Sequence, residues 1–202
     1  MNNGDGSQMF ILNIRGQASN SHILALSKIF GFFKGRKNMV EEILDISYKD
    51  INTGILSNLF PHSFSIDGVN CKSMEGFLQS LKFKDEEIRK IVQEYWGIDA
   101  YKAGRATDWR KAQVLYWKGQ IIGRHSQEYQ ELLDRAYGIN GNEGLIKNAL
   151  FRKAIINSKG KKITHTGVDN PSETVLTTEE YISRLEKIRE LLLAKEKDFE
   201  RE

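Results

Sequence analysis

Cysteine is all but missing. Cys71 stands alone among 202 residues, which excludes an internal disulfide and a cysteine-built zinc site and points to a reducing, cytoplasmic setting. Charge of one sign is missing too: 30 basic and 27 acidic residues are interspersed, leaving a formal charge of +3 and no broad field for nucleic acid or membrane. No long apolar run occurs; the stretch Ile23 to Phe33 is broken by Ser27, Lys28 and Gly31 and is too short to cross a bilayer. The start Met1-Asn2-Asn3-Gly4-Asp5-Gly6 lacks the basic and apolar segments of a signal peptide, so neither export nor membrane insertion is expected. His22, His62, His125 and His165 lie far apart, without the spacing of a metal site. There is no P-loop, no dinucleotide fingerprint and no nucleophile elbow, and no metal or cofactor is expected.

What is present fits one domain with an extension. Residues 1–38 are rich in Asn, Gly and Ser, lack periodic pattern, and end in the basic run Lys34-Gly35-Arg36-Lys37; they read as a partly ordered extension capable of transient nucleic-acid contact. The folded domain is expected over 39–202, opening with a weakly alternating strand at Glu41 to Tyr48. Phe64 to Val69 contains an Asp67-Gly68 turn and predicts a small β-hairpin. From Ser73 onward a helical period takes over, with Met74, Phe77, Leu78 and Leu81 on one stripe and Ser73 as the cap. Asp85 caps a second helix carrying Ile88, Ile91, Val92 and Tyr95. Further helices are predicted at 108–122, 126–137 and 143–156. After a polar loop over 157–172, the capping box Thr177-Thr178-Glu179-Glu180 opens a last helix. The expected class is α+β, mainly helical.

Three segments carry candidate chemistry. Glu75, Gln79 and Lys82, at i, i+4 and i+7, form a polar stripe beside the apolar one. At the edge of a buried face a carboxylate and an ammonium are partly desolvated and still reach a cleft, although the same spacing suits a solvated helix flank. Tyr101 to Trp109 gathers Lys102, Gly104, Arg105 and Asp108 between aromatics: Arg forks onto phosphate, an aromatic stacks on a base, and glycine admits backbone approach. The same cluster also suits a helix junction around a core Trp109. The loop Lys161 to Asp169 offers His165 and Thr166 upstream of the last helix.

Taken together these blocks resemble the NADAR (NAD- and ADP-ribose-associated, YbiA-like) family. Leu56-Ser57-Asn58-Leu59-Phe60 resembles its early Ser-Asn-Phe turn, and Ser73 to Phe83 resembles its signature helix, usually Ser-Glu-His-Tyr-Phe-Gln-Ala-Gln-Lys-Phe. Ala103-Gly104-Arg105 with Trp109 is similar to the next block, and Ile163 to Gly167 with the capping box and Leu185, Ile188 and Arg189 to the C-terminal one. The resemblance covers roughly 41–195. The chain departs from the pattern in the inserted Met74, in Gly76 where His is usual and in Ser80 where Ala is usual. Asp169-Asn170-Pro171-Ser172-Glu173 also replaces a Gly-rich, Trp-bearing loop, which suggests a different substrate subclass.

The resemblance implies a hydrolase cleaving a ribosyl N-glycosidic bond. The preferred substrate is ADP-ribose on a nucleobase, guanine, in nucleic acid or a nucleotide; the alternatives are phosphorylated riboflavin-biosynthesis intermediates or non-catalytic ADP-ribose binding. On that reading Glu75 and Lys82 are catalytic, and Gln79 holds ribose hydroxyls. Lys102 and Arg105 neutralise phosphate, Gly104 and Asp108 support them, and Trp109 stacks on the base. Ser57, Asn58, His165 and Thr166 complete the binding set.

Overall fold

A computed structural model describes residues 41–139 and 142–199, and everything below concerns these. The extension 1–38 and its basic run lie outside them. Strand β1 (Ile43–Asp45) pairs in parallel with β6 (Lys162–Thr164), matching Leu44 to Ile163. That second strand falls inside the stretch expected to be a polar loop. It holds three residues, too few for alternation to stand out, and its partner lies over a hundred positions upstream.

A 3₁₀ turn (Gly54–Leu56) leads to the expected hairpin of β2 (Phe64–Ile66) and β3 (Val69–Cys71). Asp67 and Gly68 both take positive φ, 48° and 76°, as a type I′ turn requires. Helix α1 (Met74–Ser80) is capped as expected, the Ser73 hydroxyl accepting from the Gly76 N–H at 2.9 Å. It is buried on every side. The solvated-flank alternative for Glu75 and Gln79 is thereby excluded.

Helix α2 (Glu86–Gln93) is capped by Asp85 but presents the opposite face from the one its apolar residues suggest. Arg89 and Gln93 are buried, whereas Ile88, Ile91 and Tyr95 are exposed and only Val92 points inward. The cause is local: the Arg89 guanidinium donates to the carbonyls of Phe83 and Lys84, satisfying acceptors left free just beyond α1. Helix α3 (Gly97–Ala103) runs into a 3₁₀ turn (Gly104–Ala106) and the short α4 (Trp109–Ala112).

The expected helix over 108–122 is mostly a second hairpin, β4 (Val114–Trp117) and β5 (Gln120–Gly123). Lys118 and Gly119 turn it with positive φ, and Leu115 and Trp117 face inward while Val114 and Tyr116 are half-buried. Phe77 of α1 ties the two hairpins together, its ring edge-on to Phe64 and Trp117 at 6.1 and 5.3 Å.

Helix α5 (Gln127–Tyr137) follows its Ser126 cap, and the predicted 143–156 helix is a 3₁₀ turn (Leu145–Lys147) plus α6 (Ala149–Asn157), interrupted because Asn148 caps anew. Last comes α7 (Thr178–Phe199), where the Thr177 N–H donates to Glu180 at 2.7 Å and the Glu180 N–H to Thr177 at 3.1 Å. The capping box is thus reciprocal. The architecture is α+β, mainly helical. Among the described residues no helix is long and apolar enough to cross a membrane.

Candidate active site

Helix α1 forms one wall of a cleft. The Glu75 N–H donates to the Asn58 carbonyl at 2.9 Å, and the Asn58 side chain accepts from the Tyr137 hydroxyl at 2.8 Å, so the Ser57-Asn58 turn is locked onto the start of the helix. Gly76 is what allows the next layer. A Cβ there would come within 2.5 Å of the Tyr95 carbonyl oxygen and 3.0 Å of that of Val92, so a side chain would push the end of α2 away. The departure from the usual histidine therefore has a packing reason.

One turn along, the Gln79 amide donates to the Glu75 carboxylate at 2.7 Å. Its own carbonyl oxygen is buried without a partner. Gly104 lies directly against it, where a Cβ would stand only 1.7 Å from that oxygen. Burial pushes the Glu75 carboxyl above its usual range, an effect only partly offset by Gln79 and the positive charge of Lys82. Burial likewise lowers the Lys82 ammonium to about 8 against the pull of Glu75, with Arg110 lowering it further. The Lys82 ammonium sits 5.2 Å from the centre of the Trp109 ring.

The facing wall comes from the far end of the chain. The β1–β6 pairing carries His165 beside Ile46, whose carbonyl is 2.8 Å from Nδ1. A carbonyl only accepts, so Nδ1 carries the proton in that bond and Nε2 is left to accept. The ring stands edge-on to Tyr181 at 5.4 Å, and the Tyr181 hydroxyl donates to the Leu56 carbonyl. Thr174 to Thr178 completes the wall, and the Thr178 hydroxyl oxygen is buried without a partner. Both unpartnered oxygens therefore belong to this one cleft.

Two chambers result. The first is lined by Ser57, Asn58, Glu75, Gln79 and His165 from the expected set, with Thr177, Thr178 and Tyr181 opposite; no Lys or Arg lines it. The second is lined by Lys82, Gly104, Arg105 and Trp109 with Arg110 and Glu173. Gln79 and Tyr101 line both and join them.

Three expected residues lie outside. Lys102 is exposed on α3 and lines neither chamber. Asp108 pairs with Lys111 at 3.0 Å, both side chains over 80% exposed, rather than with Arg105 or Lys102. Thr166 is exposed between His165 and Gly167 and is not part of the lining. Trp109 is 6% exposed and belongs mainly to the core, its ring already covered by Lys82. The sequence reading missed Tyr101, Arg110 and the Thr174–Thr178 strap. Tyr101 sat inside the candidate cluster and the strap abuts the capping box, but neither carries a spacing signal of its own.

The fold is shared with a solved protein: the Escherichia coli protein YbiA superposes with a TM-score of 0.51 at 16% identity, over 78% of this chain and 89% of that one. A family model described as bacteriophage protein GP30.3 matches residues 50–190. A 17.1 kDa protein from the Gp30-rIII intergenic region of Enterobacteria phage T4 is 34% identical over 142 residues, covering 68% of this chain and 90% of the relative. The chain belongs to this GP30.3 family, which is NADAR/YbiA-like.

Proposed function

We propose that the chain is an N-glycosidase that hydrolyses a ribosyl–nitrogen bond, with ADP-ribose on a nucleobase, guanine, as its substrate. The observation that carries this reading is the division of the cleft: a chamber without cations around a buried carboxylate opens onto one where Lys82, Arg105 and Arg110 converge. A ribose with phosphate on one side has that charge pattern. With Lys82 kept for the leaving nitrogen, the two guanidinium groups of Arg105 and Arg110, set against the single carboxylate of Glu173, suit a diphosphate better than a single phosphate, which favours ADP-ribose over the riboflavin intermediates.

In the reaction, the bond from the anomeric carbon to nitrogen breaks with its electron pair going to nitrogen. Positive charge grows on the ribose, and a desolvated Glu75 carboxylate stabilises it more strongly than water would. Glu75 then takes a proton from the attacking water, whose oxygen forms the new bond to carbon. Lys82, held near neutrality, donates the proton that the leaving nitrogen needs. Gln79 and the Nε2 of His165 are free to accept from ribose hydroxyls. The Tyr137 and Tyr181 phenols, pushed upward by burial, stay protonated and keep the Asn58 and Leu56 anchors in place.

The test is incubation with ADP-ribosylated DNA, ADP-ribosyl guanosine and phosphorylated riboflavin intermediates, with products identified by mass. Free ADP-ribose and intact base are expected from the first two. Cleavage of the riboflavin intermediates alone would overturn the substrate, and tight ADP-ribose binding without turnover would leave a binding module in place of an enzyme.

A further inference from the structure

Helix α3 carries an exposed apolar face that meets the cleft only at Tyr101. Trp96, Ile98 and Tyr101 are 51, 44 and 46% exposed, unusual for large side chains in a ten-residue stretch. Ile98, Tyr101 and Lys102 are spaced i, i+3 and i+4 and share a side of α3, and Arg105 follows in the 3₁₀ turn beyond it. The face is continuous with the cleft at both ends. The Gly97 N–H donates to the carbonyl of Leu59, which lines the first chamber, and Tyr101 lines both chambers. Tyr48, 40% exposed, sets its hydroxyl against Gly97 beside Trp96. At the other end the Arg105 guanidinium lies 5.7 Å from the centre of the Tyr101 ring.

We infer that this rim is a docking platform for single-stranded nucleic acid, the nucleotides flanking the reacting one stacking on Trp96 and Tyr101 while Lys102 meets a phosphate between them and Arg105, at the chamber's edge, backs the Tyr101 ring. Aromatic rings interleaved with cations suit a strand of any sequence, because every base offers a π-face and every linkage a negative charge. Asp99 is the one acid on α3. The neighbouring stripe on α2, Ile88 and Ile91, is bordered by Glu86 and Glu87, both paired with Lys90, and by Glu94, paired with Lys72, so the charges there are already answered among themselves. The inference rests on the proposed nucleobase substrate and gives Lys102, outside both chambers, a role at the surface.

Fluorescence tests it without turnover, because Trp96 is exposed whereas Trp109 and Trp117, the other two of the chain's three tryptophans, are buried. An unmodified oligothymidylate of about twelve nucleotides should quench the full chain's tryptophan emission saturably, with an apparent Kd that rises steeply with salt. The quench should vanish in Trp96→Phe, and Tyr101→Ala should weaken binding by roughly tenfold. Thymidine monophosphate should quench far less at equal nucleotide concentration. No quench by the oligonucleotide, an equal quench in Trp96→Phe, or equal affinity for the monophosphate would each overturn the platform, and lack of quench would leave a protein partner for this face. Quenching with no cleavage of ADP-ribosylated DNA would instead sink the glycosidase reading alone.

Discussion

Two buried charge clusters share this fold and are built in opposite ways. Around Arg124, which is 1% exposed, nearly every polar atom is answered: Nε donates to the Thr174 carbonyl at 2.8 Å, and the two terminal nitrogens grip Glu180 at 3.0 and 2.6 Å. Burial pushes the Glu180 carboxyl up, but bonds from Arg124, the Thr177 N–H and Gln130 more than reverse it, and its pKa falls below the ordinary value. Around Glu75 the balance goes the other way. The carboxyl is raised, the Lys82 ammonium is lowered, and the Gln79 oxygen has no partner. Burial in the first cluster holds the Thr174–Thr178 strap; in the second it leaves the groups poorly solvated, the pattern that makes it the candidate site.

The strongest way to break this contrast is Glu75→Gln. Turnover of ADP-ribosylated substrate should fall by about 10² to 10⁴, as for loss of a positioned acid–base group, with ADP-ribose binding retained by calorimetry. Stability should move the other way at neutral pH. A carboxyl whose folded pKa is raised stabilises the fold below its unfolded pKa and loses that contribution as pH rises through the folded one. At pH 7 the ionised group is therefore a burden, so the Gln variant should melt higher than wild type, with the gain shrinking towards pH 4. A wild-type rate would reduce Glu75 to a packing residue.

Next in size is Arg124→Met. Removing one partner of a buried, fully bonded pair should cost about 3–5 kcal/mol in urea unfolding, because Glu180 is left uncompensated. A loss under about 1 kcal/mol would put the Arg124 cluster among ordinary surface pairs and erase the contrast. The pH profile sharpens it from the other side. If Lys82 acts as a proton donor, kcat should fall as pH rises through about 8, and the acid limb should lie above the ordinary carboxylate range because Glu75 is raised. An alkaline limb unchanged in Lys82→Arg would remove Lys82 from the reaction.

The two clusters also differ in how far the sequence discloses them. The Glu75, Gln79, Lys82 stripe is legible because its members are neighbours on one helix, and its Ser73 cap and the Asp67-Gly68 turn mark the ends of the surrounding elements. The facing wall is not legible from pattern: the Ile43–Asp45 and Lys162–Thr164 strands that bring His165 into place hold three residues each and meet across a gap in sequence of 119. The sequence offers His165 only as one polar residue of a loop, and the family resemblance is what assigns it to the site. The stretch 114–122 falls within the helix expected at 108–122 because its apolar residues also satisfy a helical period and its Lys118-Gly119 turn lacks the usual Asn or Asp. Lys102 and Arg110 are both cations near one glycine, and which of them reaches the chamber is decided by the turn at Gly104–Ala106, a matter of backbone direction that composition does not carry.

The smallest effect expected is also the most specific. Gly104 has φ −74°, which alanine accepts without backbone strain, so any loss of stability in Gly104→Ala comes from the contact with Gln79 and should stay within about 1–3 kcal/mol. Its Cβ, however, would stand 2.7 Å from the Gln79 amide carbon and 3.1 Å from its Cβ, and the free end of that side chain must swing away. Glu75 then loses the hydrogen bond that holds its carboxyl down, so its pKa should climb further and the acid limb of the kcat profile should move to higher pH. A fall in kcat of about tenfold at pH 7, in a variant that still folds cooperatively, is the expected result for a misplaced neutral partner. The same substitution would do nothing to the Arg124 cluster, which is why it separates the two regions. An unmoved acid limb with a normal rate would show that Gln79 adapts freely, and that its unpartnered oxygen has no part in positioning Glu75.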